Sequence, residues 1–261
     1  MRFQKQWTLT LVAVLVFAIS LYSGASFGAE VPKGTFDAKD GVFSVTPMTE
    51  PTPLPVRKFK CVKTEVLTEA KDLSQWTDGD HNPIKHWELK DGILHPTGKA
   101  SDIFYKGEYK YFVLEFEFEV PFGGNSGVFY YSWSDKLKAR GYEYQIIDDV
   151  NRKTNPEYER FGTGGLYAMY HRKYDAGPRL LDGFNKGKIV VMGNHIEHWL
   201  NDKLAVSVQM GTTNWLEHVA SSRFADDAKF GKATSGRIAL QYHNYDIRFR
   251  NIRLSVYEET K

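Results

Sequence analysis

The chain is 261 residues long and 15% aromatic, with 34 basic residues against 32 acidic ones and a single cysteine, Cys61. Without Arg2 and Lys5 the two charge counts are equal at 32, so the chain carries neither the basic stripe of a nucleic-acid binder nor a long block of one sign. One cysteine excludes an internal disulfide, so the fold must rest on its core, and a chain of this length can bury one.

Arg2 and Lys5 precede an apolar run, Leu9 to Tyr22, too short to span a bilayer comfortably, and small residues follow it. This predicts a signal peptide over 1–29, cleaved within Ser26 to Ala29, and an exported protein, periplasmic or secreted; an uncleaved anchor is the alternative. No cysteine stands there for lipid attachment, so no membrane partner is expected after cleavage. Residues 30–58 carry Pro47, Pro51, Pro53 and Pro55 and predict an extended tether or a strip laid on the domain surface. The folded domain is expected over 59–261, without internal repeats.

Within it, Trp87 to Leu94 alternates around a turn at Asp91-Gly92. Tyr111 to Val120 is a clear strand, with Leu114, Phe116, Phe118 and Val120 on one face and Glu115, Glu117 and Glu119 on the other. Gly123-Gly124-Asn125 reads as a hairpin turn into Gly127 to Trp133. Gly141 to Ile147 is another strand. A long irregular segment, Asn151 to Leu181, follows, and its tyrosines argue against disorder. Lys188 to Met192 and Ile196 to Leu200 flank Gly193-Asn194, a second hairpin signal. Thr212 to Gly231 is an insertion with Trp215 and Phe224 as anchors. Ile238 to Tyr242 and Ile247 to Val256 close the domain. Helical periodicity is scarce, so the pattern predicts an all-β antiparallel sandwich with long surface loops.

Alternation also predicts which side chains share a face. Tyr142, Tyr144 and Ile146 suit a core, leaving Glu143 and Gln145 on the opposite face; Ile238, Leu240 and Tyr242 leave Gln241 and His243. If these strands neighbour one another in one sheet, Glu117, Glu143, Gln145, Gln241 and His243 converge. That surface offers carboxylate, amide and imidazole groups able to bind hydroxyls and move protons. The competing reading is the ordinary wet face of an antiparallel sheet, preferred for Glu115 and Glu119. Negative charge at Asp148 and Asp149 is expected to raise a neighbouring carboxyl. His198 shares a face with Ile196 and Leu200 and reads as packed.

No cofactor is expected: Asp148, Asp149 and Glu143 are suited to Ca²⁺, but their spacing matches no known loop. The sequence has no Gly-x-Ser-x-Gly elbow, no phosphate-binding glycine loop and no His-Glu-x-x-His helix. Glu115, Glu117 and Glu119 resemble the paired acids of retaining glucanases, but the central Asp of that pattern is missing. Residues two apart lie roughly 6.5 Å apart along a strand, against about 5–5.5 Å for a retaining pair.

Several motifs occur in order: Gly124-Asn-Ser-Gly-Val-Phe129, Tyr142-Glu-x-Gln-Ile-x-Asp148, Gly165-Leu-Tyr167, His198-Trp-Leu-Asn201, Ser222-Arg-Phe224, Gln241-x-His243 and Phe249-Arg-Asn-Ile252. On these the chain resembles the 3-keto-disaccharide hydrolase family, from about Lys71 to Tyr257. The resemblance implies a concanavalin A-like lectin/glucanase sandwich (a jelly roll), a carbohydrate substrate, and hydrolysis of glycosides oxidised at carbon 3 through proton abstraction at carbon 2. Residue chemistry on the matching positions suggests Glu143 and His243 as the catalytic pair. Glu117, Gln145, Gln241, Tyr131, Tyr167 and Asp148 would contact substrate, although many relatives carry Arg at the position of Tyr131. Two other readings stay open. One is a non-catalytic carbohydrate-binding module stacking sugars on Tyr131, Tyr167 and Trp133; the other is a conventional β-glucanase.

Overall fold

The computed structural model describes residues 34–37, 42–45, 57–148, 162–173 and 183–260. The expected signal peptide, the cluster Pro47 to Pro55, and 149–161 and 174–182 of the long irregular segment lie outside the described residues. Among the described residues, no helix is long and apolar enough to cross a membrane.

In chain order the strands are β1 (Gly34–Asp37), β2 (Val42–Val45), β3 (Arg57–Val66), β4 (Trp76–Thr77), β5 (Trp87–Lys90), β6 (Ile93–Pro96), β7 (Ile103–Tyr105) and β8 (Tyr111–Glu119). They continue with β9 (Asn125–Asp135), β10 (Lys138–Ile147), β11 (Asn185–Met192), β12 (His195–Leu200), β13 (Lys203–Gln209), β14 (Arg237–Leu240) and β15 (Arg248–Thr260). Two sheets result. The larger runs β1-β2-β3-β15-β8-β11-β12-β13, with the β5–β6 hairpin attached to β15; the smaller runs β10-β9-β14-β7-β4. All strand pairs are antiparallel, so the fold is the all-β sandwich that the alternation predicts.

Ring burial decides which face of each strand turns inward. Phe112, Leu114, Phe116 and Phe118 of β8 meet Tyr142, Tyr144 and Ile146 of β10, and Phe116 packs edge-on against Tyr144 at 5.2 Å. On the outer face Glu117 pairs with Arg250 at 2.7 Å and Glu119 with Arg248 at 3.2 Å. A buried large apolar side chain contributes about 1.5–3 kcal/mol, an exposed ion pair about 0–1 kcal/mol. The hairpins at Asp91-Gly92 and Gly193-Asn194 form as expected, with Lys90 opposite Ile93 and Met192 opposite His195.

Three features depart from expectation. Gly123-Gly124 is not a hairpin turn: β8 and β9 lie in different sheets. The segment is an arch, held where the Gly123 amide donates to Asp148 Oδ2 at 2.7 Å and the Asp148 amide to the Gly124 carbonyl at 3.0 Å. The insertion after β13 contains a helix, α1 (Thr213–Ser221), capped by Thr212 Oγ1, which accepts the Trp215 amide. Its one buried residue, Trp215, packs edge-on against Tyr142 at 5.3 Å.

The third departure is a β-bulge. Tyr142 pairs with Tyr130 but Arg140 with Trp133, so Tyr131 and Ser132 face Gly141 alone, and Tyr131 takes a φ of 48°. The extra residue breaks the alternation and turns Tyr131 inward beside Tyr130, 1% exposed, with its hydroxyl donating to the Lys110 carbonyl. A stacking or substrate-binding role for Tyr131 is therefore corrected: the ring lies between the sheets. Gly141 makes the bulge possible, at a φ of 138° and with space for a Cβ only 2.9 Å from the Tyr130 and Tyr131 carbonyl oxygens. Gly141→Ala should lower stability by about 1–3 kcal/mol, read as a fall in the urea midpoint at unchanged slope. A loss below about 0.5 kcal/mol, the range of ordinary surface substitutions, would contradict this account of the bulge.

Candidate active site

The outer face of the smaller sheet carries a cleft of ≈ 600 Å³. Its floor is β9 and β10; its walls come from Arg223 to Phe230, after α1, and from Gln241 to Tyr245, after β14. Glu143 lies in it because Tyr142 and Tyr144 point into the core on either side.

Glu143 is 6% exposed. Its side chain crosses the bare backbone of Gly127 on the neighbouring strand. A Cβ at Gly127 would meet Glu143 Oε1, and would sit 2.8 and 2.9 Å from its Cγ and Cδ. Among the described residues no group donates a hydrogen bond to this carboxylate. Burial raises its pKa well above the usual carboxyl range, the charge of Asp102 adds to the rise, and Arg223 partly offsets it.

Asp102, immediately before β7, lies beneath the cleft at 1% exposure. Its Oδ2 accepts the Ala139 amide at 2.8 Å and its Oδ1 the Tyr242 amide at 2.9 Å, which clamps the start of β10 to the segment bearing Gln241 and His243. Lys138 Nζ is 3.7 Å away. Burial raises the Asp102 pKa, while the two amides and the charges of Lys138 and His243 pull it back.

Amide groups surround the carboxyl. Gln145 Oε1 accepts the Ile146 amide at 2.9 Å, which fixes the side chain. Gln241 is held through its backbone: its amide donates to the Gly127 carbonyl at 2.9 Å and its carbonyl accepts Ser126 Oγ at 2.8 Å. The side-chain oxygens of Gln241 and Asn125 are buried without a hydrogen-bond partner among the described residues. Such atoms are exceptional in folded proteins.

Tyr167 reaches the cleft because its loop zips onto the edge of β10. Gly164 donates to the Gln145 carbonyl at 2.9 Å, Gln145 to the Gly165 carbonyl at 3.1 Å, and Tyr167 to the Glu143 carbonyl at 3.0 Å. His198 anchors that loop from the core. Its Nδ1–H donates to the Gly164 carbonyl at 3.2 Å, and its Nε2 accepts the Tyr130 hydroxyl at 2.8 Å. Burial lowers its pKa to about 3, so the ring is neutral and structural.

Glu143, Gln145, Gln241, His243 and Tyr167 thus meet in one cleft. Three expected site residues lie elsewhere. Glu117 sits in the other sheet on its outer face, held by Arg250 Nε at 2.7 Å and Asn251 Nδ2 at 2.9 Å, because the arch carries β9 away from β8. Tyr131 is in the core, and Asp148, fully buried, holds the arch. Trp133 lies outside the cleft lining, beneath Lys229. Among the described residues no group of three or more His, Cys, Asp or Glu side chains is placed to hold a metal ion. Glu143 and Asp148 are five residues apart, roughly 16 Å along an extended chain, and Asp149 lies outside the described residues. Sequence reasoning missed Asp102, Asn125, Lys138 and Arg223; the one signal was the place of Asn125 and Arg223 within motifs.

Two outcomes follow from the seat of Glu143. Gly127→Ala should push its carboxyl aside and cost about 1–3 kcal/mol of stability through overpacking, measured by urea unfolding; an unchanged midpoint would contradict the close approach. Glu143→Gln should stabilise the protein only above the ordinary carboxyl pKa. Below about pH 4 both folded and unfolded states hold the proton. As pH rises the unfolded state releases it first, and stability falls until the folded pKa is passed. The melting-temperature difference between variant and wild type should therefore grow from pH 4 to pH 8; a difference constant across that range would contradict the raised pKa.

The sequence model of the 3-keto-alpha-glucoside-1,2-lyase-like domain matches residues 63–255. A 3-keto-disaccharide hydrolase of Bacteroides thetaiotaomicron is 28% identical over 229 residues, covering 73% of this chain and 77% of the relative. Two solved structures from Parabacteroides distasonis, provisionally assigned to the glycosyl hydrolases, are each 24% identical. One has a TM-score of 0.66 and covers 75% of this chain and 94% of its own; the other has a TM-score of 0.55 and covers 74% and 98%. At that identity the structures speak for the fold alone, an antiparallel β-sandwich. The match over most of the domain means that the chain belongs to the 3-keto-alpha-glucoside-1,2-lyase-like domain family and is a hydrolase of the glycoside-cleaving class.

Proposed function

We propose that the protein hydrolyses glycosides whose sugar carries a ketone at carbon 3, with Glu143 as the base. The observation that carries this reading is the buried carboxyl of Glu143, which has no hydrogen-bond donor among the described residues, in a cleft lined by amides. A carboxylate held so is a stronger base than one in water, which suits removal of a proton from carbon. A carbohydrate-binding module has no use for such a group.

The ketone acidifies the hydrogen on carbon 2. Glu143 takes it as a proton; the C–H pair becomes the carbon 2–carbon 3 double bond, and the ketone's π pair moves onto its oxygen. When the ketone re-forms, a double bond forms between carbons 1 and 2 and the bond from carbon 1 to the leaving oxygen breaks. His243, at the exposed rim, gives that oxygen a proton. Water then adds: hydroxyl to carbon 1, its proton to His243, and the proton held by Glu143 back to carbon 2. Glycoside and water become keto-sugar and alcohol, with no change of oxidation state. The side-chain oxygens of Asn125 and Gln241, unpartnered among the described residues, are suited to accept sugar hydroxyls. The apolar run Leu9 to Tyr22 supports an exported enzyme.

With a 3-keto-glucoside as substrate, Glu143→Gln should lower kcat by about 100-fold or more while still binding the sugar. It should also lose exchange of the carbon-2 hydrogen with D₂O. Full turnover by the variant would remove Glu143 from the mechanism, and equal wild-type rates on the keto and parent glucosides would remove the keto-sugar reading.

A further inference from the structure

We propose that Arg223 is a catalytic residue, the cation that holds the negative charge developing on the carbon-3 oxygen; the inference rests on the keto-glycoside reading. Removing a proton beside a ketone places a full charge on that oxygen, and a cation held in place beside the base stabilises that charge as it develops. The cleft holds several cationic side chains. Arg140 is paired with Asp135 at 3.2 Å, and Lys138 lies 3.7 Å from Asp102. Among the described residues, Arg223 makes no ion pair with a carboxylate, although it lines the same cleft as Glu143.

Arg223 is nevertheless held in place. The chain turns at Ser222, whose Oγ donates to the Val219 carbonyl at 2.8 Å and accepts the Phe224 amide at 3.1 Å. This directs Arg223 back over the sheet. Arg223 Nη1 donates to the Tyr167 hydroxyl at 2.9 Å, and the guanidinium carbon lies 6.0 Å from the Tyr167 ring centre and 5.7 Å from that of Phe224. Tyr167 is itself bonded through its amide to the Glu143 carbonyl. One short chain of contacts therefore sets the guanidinium relative to the base. One of its N–H groups is used on Tyr167, and among the described residues the others have no partner and can meet an oxygen in the cleft. Arg223 is exposed, so its replacement leaves the core intact.

The test uses the full mature chain and a 3-keto-glucoside. Arg223→Gln should lower kcat by about 100-fold, the loss typical of one oxyanion donor. Substrate affinity, measured by calorimetry in the Glu143→Gln background to prevent turnover, should change by less than about threefold. Arg223→Lys should recover part of kcat, and added guanidinium ion should rescue the Gln variant but not the wild type, a response that a merely structural role would not give. An Arg223→Gln variant with wild-type kcat, or one whose loss lies wholly in KM, would overturn the role while leaving the keto-glycoside reading in place. A wild-type protein that turns over no keto-glycoside would overturn both, since no enolate would then form.

Discussion

The cleft depends on the close approach of Glu143 to the backbone of Gly127. Among the described residues this carboxyl has no hydrogen-bond donor, and a charge placed so is costly to bury. Tyr142 and Tyr144 fix its face, Gly127 supplies the space beneath it, and the loop bonded to its carbonyl through Tyr167 closes the strand edge. Gln145, Gln241, His243, Asn125 and Arg223 line the same cleft as that side chain.

The rest of the sandwich serves this placement at a distance. His198 is neutral in the core and spends both ring nitrogens on Tyr130 and the Gly164 carbonyl, so the sheet that lacks the cleft still anchors the loop that completes it. Asp102 ties two segments far apart in sequence by taking one amide from each. The bulge at Tyr131 adds a ring to the core from a strand that would otherwise present it to solvent.

Much of this was legible in the chain. Strict alternation placed Tyr142, Tyr144 and Ile146 inward and Glu143 and Gln145 outward, because a period of two admits no other arrangement once one face is apolar. It also gave Glu117 the correct face of its own strand. Strand order was not legible: Gly123-Gly124 has the composition of a hairpin turn, and only the distant Asp148 reveals an arch between sheets. Tyr131 escaped because a bulge shifts alternation by one residue, and its only local mark is Gly141 on the opposite strand. Asp102 was hidden because its partners are backbone amides, which no sequence pattern records. Arg223 stood within a motif, but a lone cation in an insertion has no visible role until its neighbours are known.

The most direct test is the titration of Glu143 itself. Carbon-13 NMR of the side-chain carboxyls, with the Glu143 signal assigned by its loss in Glu143→Gln, reads the protonation of that one group. The midpoint should lie well above the ordinary glutamate value of about 4.3, as burial beside Asp102 requires. A midpoint at or below that value would mean the carboxyl is solvated or paired, and the account of the cleft would fail.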